Sequence, residues 1–254
     1  MYRNLKVGVI IPARNEELAI SQVISDLRDL LEDDGNRIID AIVVCDNGST
    51  DCTAEYARAA GALVVYEPIP GYGRACLTAA SAMLPVDVIL YVDGDRSLFA
   101  SQCTRLLEGI ANGDDLALGA RTKGFIEPGA LTTPQIFGNK LAVFLIRKIW
   151  GVSFSDLGPF RAIRYSSYQK IHMRDLAYGW TIEMQVKAVQ AGMQCNEYAI
   201  DSRCRLGVSK ISGTVRGVIG AGVGILGMVF RLWWRERSRK NAAGPRPEIN
   251  VISP

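Results

Sequence analysis

Short apolar runs and segments with helical periodicity alternate along the first 120 residues of the chain. The run VGVII at residues 7–11 is uncharged and rich in β-branched side chains, which is typical of a strand buried on both faces. In residues 17–31, apolar positions recur three and four residues apart, which predicts an amphipathic helix. The alternation continues with predicted strands at 38–45, 62–66, 88–92 and 116–120 and predicted helices at 52–60, 74–83 and 101–111. This pattern predicts βαβ units and a mostly parallel sheet, that is, an α/β fold.

The second half of the chain is less regular. Its apolar positions predict a helix at residues 139–150, a loop and strand at 156–164 and an amphipathic helix at 180–191. We therefore expect one domain over residues 1–212, with an N-terminal half (1–120) and a C-terminal half (121–212). An apolar and then basic helical segment follows at 213–240, and the tail 241–254, which contains three prolines, is expected to be disordered.

Composition narrows the class of protein. The chain has 254 residues, of which 48% are hydrophobic and 22% are charged, as in a globular domain, and its net charge of +3 does not indicate a nucleic-acid binder. None of the six cysteines forms a C-x-x-C pair, so we expect no zinc cluster and interpret most of them as small core residues in a reducing compartment. The N-terminus lacks the pattern of a secretory signal, and a cytoplasmic protein is expected.

Polar residues follow each of the early predicted strands. Ligands bind at the carboxyl ends of the strands in an open parallel sheet, so these residues are candidates for a binding site. Asp93 and Asp95, separated by Gly94, come directly after the apolar run VILYV. Paired carboxylates are typical ligands of Mg²⁺ or Mn²⁺, which they share with substrate phosphates, although an Asp-Gly turn is the plain structural alternative.

Other strand ends carry further candidates, each with a structural alternative. Asp46 could accept a hydrogen bond from a base or ribose, or it could cap a helix. Arg14 and Glu16 could contact ribose and phosphate, or they could be surface charges. Gly73 could permit close approach of a ligand to the backbone, or it could belong to a plain turn. Arg74 opens a predicted helix, where the dipole does not favour a cation, so we expect it to face an anion.

Several motifs together resemble family-2 glycosyltransferases of the GT-A fold. They are PARNEE (12–17), VVCDNGSTD (43–51), GYGRA (71–75) and YVDGD (91–95). The later motifs GARTKG (119–124), DLGPFRAI (156–163), GWTIEMQVKA (179–188) and GVSKISGT (207–214) are similar to the branch that contains dolichyl-phosphate mannosyltransferase and polyprenyl-phosphate glucosyltransferases. The resemblance covers roughly residues 5–215 and implies an enzyme whose residues 1–120 bind a nucleotide sugar and whose residues 121–212 bind an acceptor.

The resemblance implies inverting transfer of a hexose from a UDP- or GDP-sugar with Mg²⁺ or Mn²⁺. It assigns the nucleotide sugar to the residues Pro12, Ala13, Arg14, Glu16, Asp46, Gly73, Arg74, Asp93, Gly94 and Asp95, with Asp93 and Asp95 holding the metal. Arg121 matches a position that faces the acceptor phosphate. That branch usually has further basic residues after this point, whereas residues 132–137 contain no arginine. A polyprenyl phosphate and a small-molecule hydroxyl therefore both stay open as acceptors.

The acceptor determines which further residues are needed. A phosphate is already an anion, whereas a hydroxyl needs a general base, for which Asp156 and Glu183 are the candidates. Glu183 could equally be a carboxylate on the surface of its helix. Arg161 could contact phosphate or pair with an acid, and Ser209 with Lys210 could close over the diphosphate. His172 is the only histidine, and we expect it to be incidental.

The C-terminal apolar run at residues 217–230 is too short for a spanning helix, which needs about twenty residues. Trp233, Trp234 and the arginines near them are typical of interfacial anchors, so peripheral membrane contact, at the inner face of the membrane, is favoured. Packing on the main domain and a contact between subunits of a homo-oligomer are the alternatives, since the run has closely spaced glycines.

Two other functions are compatible with a metal-binding aspartate in an α/β protein. A sugar nucleotidyltransferase usually has a glycine-rich loop directly after the first strand, where this chain has PARNEE. A non-catalytic protein that binds nucleotide sugars would not need the intact pair Asp93 and Asp95. Both are therefore less favoured than a glycosyltransferase.

Overall fold

The computed structural model of the protein describes residues 1–207 and 215–242. These residues form seven strands and eight α-helices around a single sheet. The strands are β1 Val7–Ala13, β2 Ala41–Asp46, β3 Leu63–Tyr66, β4 Val88–Tyr91, β5 Leu116–Ala120, β6 Arg161–Arg164 and β7 Cys195–Ala199. The helices are α1 Ile20–Arg28, α2 Thr53–Ala59, α3 Tyr72–Ser81, α4 Cys103–Ala111, α5 Thr133–Trp150, α6 Tyr165–Ile171, α7 Trp180–Gln190 and α8 Val215–Ala242.

The sheet has the strand order β3-β2-β1-β4-β6-β5-β7. All neighbours are parallel except β6, which runs antiparallel to β4 and β5. Because β6 is reversed, its first residue, Arg161, pairs with Tyr91 at the end of β4. The loop before β6 therefore lies beside the carboxyl end of β4, where Asp93 and Asp95 follow.

Helices cover both faces of the central part of the sheet, which explains why the strands β1, β4 and β5 carry no charged residues. In β1, Val9 and Ile11 belong to one core cluster with residues of α1 and α4, whereas Ile10 points to the opposite face and packs with residues of α3 and α7. Adjacent side chains of a strand point to opposite faces, so a strand buried on both sides has no polar positions. The C-terminal helix α8 packs against α5 and α7 and completes the second core.

The mostly parallel α/β sheet predicted from the sequence is confirmed, with differences at particular elements. Helix α5 begins at Thr133, six residues earlier than predicted, because Thr132 and Gln135 form a capping box and Pro134 is tolerated in the first turn. Helix α1 is shorter than predicted, and β7 and α6 were not predicted.

The C-terminal segment is helical from Val215 to Ala242, and within the described residues no helix is long and apolar enough to cross a membrane. The tail at 241–254 was expected to be disordered, but residues 241 and 242 are the end of α8, and only residues 243–254 lie outside the described residues. The predicted phosphate contacts Ser209 and Lys210 also lie outside the described residues. Among the cysteines, Cys45, Cys76 and Cys103 are buried as expected, whereas Cys52 and Cys204 are exposed.

Candidate active site

Two adjoining cavities, each of about 280 Å³, open at the carboxyl ends of the central strands. They share a boundary formed by residues from distant parts of the chain: Tyr72, Asp93, Gln135, Tyr178 and Arg205. We call them the polar cavity, which lies at the ends of β1 and β4, and the apolar cavity, which lies between the β6 loop, α5 and α8. Their junction at Asp93 is where a group could pass from a ligand in one cavity to a ligand in the other.

Most of the predicted nucleotide-sugar residues line the polar cavity. They are Pro12, Ala13, Arg14, Glu16, Asp93, Gly94 and Asp95. Residues 12–16 form the end of β1 and the turn after it, and residues 93–95 lie just after β4, which is hydrogen-bonded to β1. The parallel pairing of these two strands therefore brings the two motifs to the same edge of the sheet, as the sequence predicted.

At the end of β2, the residue that lines the polar cavity is Asn47, whereas the sequence predicted its neighbour Asp46. Asp46 is buried, and its Oδ1 accepts a hydrogen bond from the backbone N–H of Ser49 at 2.9 Å, so it closes the turn after the strand. Asn47 lines the polar cavity. Its side chain donates to the carbonyls of Glu67 and Ile69 and accepts from the N–H of Gly71, at 3.0, 2.8 and 2.7 Å. Asn47 thus fixes the wall of the cavity at residues 67–71.

The two aspartates after β4 have different environments. Asp93 accepts a hydrogen bond from the hydroxyl of Tyr72 at 3.3 Å, and burial, together with the negative charge of Asp95, raises the pKa of Asp93 to about 7. Asp95 accepts a hydrogen bond from the N–H of Ser97 at 2.9 Å and pairs with Arg205 at 3.0 Å. Because two neighbouring carboxylates repel each other, this pair favours a cation beside it.

The donor set suits a divalent cation that is shared with a ligand. Carboxylate oxygens are the ligands that Mg²⁺ and Mn²⁺ prefer, and such ions are usually held by one or two carboxylates together with substrate phosphates. Across residues 1–207 and 215–242, no group of three or more acidic, histidine or cysteine side chains is arranged to hold a metal alone. Asp93 and Asp95 could therefore supply two ligands and leave the remaining positions to phosphate oxygens and water.

Asp156, a predicted base, forms a buried ion pair with Arg121. The guanidinium meets both carboxylate oxygens at 2.8 Å, and the N–H of Arg121 donates to Oδ2 at 2.9 Å. Burial alone would lower the pKa of Arg121, but the bonded carboxylate raises it above its ordinary value. Arg121 lines the apolar cavity, whereas Asp156 is not among its described lining residues. The carboxylate therefore orients the arginine that faces the cavity.

Glu183, the other predicted base, is only 2% exposed and is not a helix-surface carboxylate. Its Oε2 accepts the backbone N–H groups of Arg174 and Asp175 at 2.9 and 2.7 Å, and its Oε1 pairs with Lys187 at 2.8 Å. Glu183 is not among the described residues that line the two cavities. In this geometry it holds the loop at residues 174–177.

That loop, rather than a ligand, covers the first turn of α3. The N–H groups of Gly73 and Arg74 donate to the carbonyls of Ala177 and Leu176 at 3.2 and 3.1 Å. A Cβ on Gly73 would overlap the carbonyl oxygen of Asp175, so the glycine allows two backbone segments to meet. Neither Gly73 nor Arg74 is among the described residues that line the cavities, although the neighbouring Gly71 lines the polar one.

Arg161 is fully buried beneath the site. Its guanidinium donates to the carbonyls of Thr181, at 3.0 Å, and of Gly158, and burial lowers its pKa to about 10. These bonds tie the β6 loop to the first turn of α7, so the structure gives Arg161 a place below the cavities instead of the expected phosphate contact. His172 is exposed at the end of α6, consistent with an incidental residue.

The apolar cavity has apolar side chains, three cations and, at its boundary with the polar cavity, the carboxylate of Asp93. Its apolar residues include Leu98, Leu131, Pro134, Leu157, Pro159 and Ile225, and its cations are Arg121, Arg203 and Arg205. Arg203 and Arg205 were not predicted as site residues from the sequence. Their one sequence signal was their position shortly before the GVSKISGT motif, on a segment that returns to the end of β4. This wall fits a ligand with an anionic group and an apolar body.

Comparison with known proteins assigns the family. Residues 8–172 match the model of glycosyl transferase family 2. The chain belongs to this family. It is 32% identical over 189 residues to the glycosyltransferase AglJ of Haloferax volcanii, covering 74% of this chain and 60% of AglJ. It is also 30% identical over 212 residues to the dolichyl-phosphate hexose transferase of the same organism, covering 81% of this chain and 86% of that protein.

The structural comparison confirms the GT-A fold. A crystal structure of glucosyl-3-phosphoglycerate synthase from Mycobacterium tuberculosis, in complex with Mn²⁺, UDP and phosphoglyceric acid, matches with a TM-score of 0.68 at 21% sequence identity. The match covers 91% of this chain and 79% of that one. The chain is thus a glycosyltransferase of family 2, and the resemblance drawn from the sequence motifs is confirmed. A sugar nucleotidyltransferase is excluded by the family.

Proposed function

We propose that this family-2 glycosyltransferase transfers a hexose from a UDP- or GDP-sugar to a polyprenyl phosphate. The observation that carries the proposal is the junction of the two cavities at Asp93, one lined by the strand-end motifs and the other by apolar side chains and three arginines. The donor diphosphate belongs at this junction, with its nucleoside in the polar cavity. The acceptor belongs in the apolar cavity.

The polar cavity offers the contacts that a nucleoside diphosphate needs. Arg14 and Glu16 lie at its wall beside Pro12 and Ala13, where they can meet ribose and base. Asn47 and the turn closed by Asp46 shape its far side. In support, the related synthase of Mycobacterium tuberculosis was crystallised with UDP and Mn²⁺.

Asp93 and Asp95 would hold a Mg²⁺ or Mn²⁺ ion together with the donor diphosphate. When bound, the ion supplies positive charge that stabilises the diphosphate as it leaves. Arg205 adds a second positive charge at the same junction, since it pairs with Asp95 and lines both cavities. The hydroxyl of Tyr72 donates a hydrogen bond to Oδ1 of Asp93 and so keeps that carboxylate oriented.

The state of the two candidate bases favours a phosphate acceptor over a hydroxyl. Asp156 is bonded to Arg121, and Glu183 is bonded to Lys187 and two backbone N–H groups. Neither carboxylate is in a position to accept a proton from a hydroxyl in the apolar cavity. A phosphate oxygen is already anionic and attacks without a base.

Residues 132–137 lack the basic residues that are usual in the polyprenyl-phosphate branch, but arginines from other parts of the chain line the apolar cavity. Arg121 and Arg205 can meet a phosphate, for which the planar guanidinium is well suited. Arg203 adds positive charge nearby, although its guanidinium donates to the carbonyls of Arg96 and Leu98. Leu131, Leu157 and Ile225 then line a path for the first isoprenoid units. A relative that bears the name dolichyl-phosphate hexose transferase supports this choice of acceptor.

A transfer assay tests the proposal. The full chain is incubated with Mn²⁺ and radiolabelled UDP- and GDP-hexoses, and with a polyprenyl phosphate, 3-phosphoglycerate or an alkyl glycoside as acceptor. We expect label to appear in a lipid phosphodiester with one of the donors. Transfer to 3-phosphoglycerate or to the glycoside alone would overturn the proposal.

Two variants separate recognition of the phosphate from recognition of the chain. Ile225→Ser should raise KM for a long polyprenyl phosphate more than for a phosphate with ten carbons, because only the long chain extends along Ile225. Arg121→Gln should impair both acceptors equally. Leu63→Ser, an exposed position on β3, is the matched control and should change neither.

A further inference from the structure

The outward side of helix α8 carries large apolar side chains in contact with solvent. Leu226, Phe230 and Trp234 are 42%, 59% and 57% exposed. They are four residues apart and therefore lie along one side of the helix. The opposite side of α8 packs into the core through Met228, Val229 and Leu232, which are at most 3% exposed. The helix thus has two apolar sides, and the described part of the chain covers only one of them.

Positive charges accompany the exposed apolar side chains. Arg231, Arg235 and Arg237 are exposed on the same helix. The one acidic residue of this stretch, Glu236, turns inward and accepts hydrogen bonds from Trp150 and Gln190 at 2.6 and 3.0 Å. Because Glu236 points inward, no carboxylate lies on the outward side of residues 226–238 in the described structure.

The aromatic side chains form a preformed cluster. The ring of Phe230 lies 5.5 Å from that of Trp233 and 6.1 Å from that of Trp234, and Arg237 lies over Trp233 at 5.4 Å. Tryptophan rings beside arginines are typical of the boundary between lipid headgroups and hydrocarbon. A cluster that is already assembled loses little conformational entropy on binding.

The exposed side of α8 begins at the apolar cavity. Ile225 lines that cavity, and Leu226 is the next residue. Helix α5, which packs against α8, also starts at the cavity and exposes Phe137 and Phe144, with Lys148 over the ring of Phe144 at 5.8 Å. Exposed aromatic and basic side chains therefore continue from the mouth of the cavity along both helices.

We propose that the aromatic–arginine face, formed by Leu226, Phe230, Arg231, Trp234, Arg235 and Arg237, docks on the surface of an anionic lipid bilayer. The side chains of Phe230 and Trp234 insert between headgroups, and the arginines bind lipid phosphates. A second copy of the chain fits this face less well, because a two-fold interface would bring the same arginines together. The docking does not depend on which acceptor the enzyme uses.

Vesicle sedimentation with the full chain tests this proposal. Vesicles of phosphatidylcholine alone are compared with vesicles that contain phosphatidylglycerol, at low and high salt. We expect binding to the anionic vesicles that weakens with salt, and at least about a tenfold loss of partitioning for Phe230→Ser/Trp234→Ser and for Arg231→Glu/Arg235→Glu. Unchanged binding of both double variants would overturn the proposal.

Matched controls are available on the other side of the molecule. Leu63→Ser/Tyr66→Ser changes two exposed apolar side chains of β3, and Arg58→Glu reverses an exposed charge on α2. Both should bind vesicles like the unaltered chain. Sedimentation velocity without lipid gives the competing outcome: a dimer that Phe230→Ser/Trp234→Ser dissociates would identify the face as a subunit interface and contradict bilayer docking.

Discussion

The guanidinium of Arg205 lies 3.0 Å from the carboxylate of Asp95, although 109 residues separate them along the chain. Arg205 lines both cavities, so this ion pair stands where the donor diphosphate is proposed to bind. The pair partly neutralises the two aspartates in the absence of a metal ion. A metal ion and Arg205 would therefore compete for the carboxylate of Asp95.

Replacing Arg205 should have opposite effects on metal binding and on transfer. In Arg205→Gln, Asp95 loses a competing cation, so we expect Mn²⁺ without nucleotide to bind several-fold more tightly. Sugar transfer should fall about 10- to 100-fold, because a positive charge near the leaving diphosphate is lost. Calorimetric titration of Mn²⁺ and steady-state kinetics measure the two effects. If Arg205→Gln left both unchanged, Arg205 would have no role at the junction.

Replacing Asp156 should reveal whether it positions Arg121 or removes a proton. Asp156→Asn breaks a buried ion pair, and removing one partner of such a pair costs about 3–5 kcal/mol of unfolding free energy. We expect a lower denaturation midpoint, a higher KM for the acceptor and an unaltered pH profile of kcat. Loss of the acidic limb of that profile at unchanged stability would instead identify Asp156 as the base.

Glu183→Gln should act through the loop at residues 174–177. Glutamine keeps the size of the side chain but loses the charge that pairs with Lys187, so we expect a loss of about 1–3 kcal/mol in unfolding free energy. The double variant Glu183→Gln/Lys187→Met should recover part of this loss, because it removes both charges. A general base would give a different result, namely transfer reduced by orders of magnitude at full stability.

Gly73→Ala should destabilise the protein because the added methyl group meets the backbone of Asp175. Either the loop or the start of α3 must shift, at a cost of about 1–3 kcal/mol. The matched control is Gly227→Ala on the exposed side of α8, where an added Cβ meets nothing within 4 Å. That change should be neutral or stabilise the helix by up to about 1 kcal/mol. Equal chemical denaturation curves for both variants would contradict the close approach.

Strands β1, β2, β4 and β5 could be predicted from the sequence because burial leaves them almost without charges. The half-exposed edge strand β3 could be predicted because its residues LVVY are uncharged and include two β-branched valines. Strand β7 could not, because its residues CNEYA are half-exposed at the edge of the sheet and include Asn196 and Glu197. Helix α6 has seven residues, too few to show a periodic pattern. Helix α5 was predicted to start late because residues 133–138 combine proline and glycine, and its capping box was overlooked.

The candidate site could likewise be predicted only in part from the sequence. Residues 12–16 and 93–95 lie at the carboxyl ends of two parallel strands, so the topology of a parallel sheet predicted that they would meet. The contacts of Asn47, Tyr72 and Arg205 depend on loops that return from distant parts of the chain, which periodicity does not report. For the same reason the sequence predicted Asp156 and Glu183 only as candidate bases, whereas in the structure each carboxylate is paired with a cation, Arg121 or Lys187.

The central claim is that Asp93 and Asp95 hold a divalent cation together with the donor diphosphate. Electron paramagnetic resonance of free Mn²⁺ tests it most directly, with UDP and GDP titrated into the unaltered chain and into Asp93→Asn and Asp95→Asn. We expect the nucleotide that belongs to the donor to remove the free Mn²⁺ signal with the unaltered chain, and each variant to need at least about tenfold more protein. Equal depletion of the signal by the unaltered chain and both variants would contradict the claim.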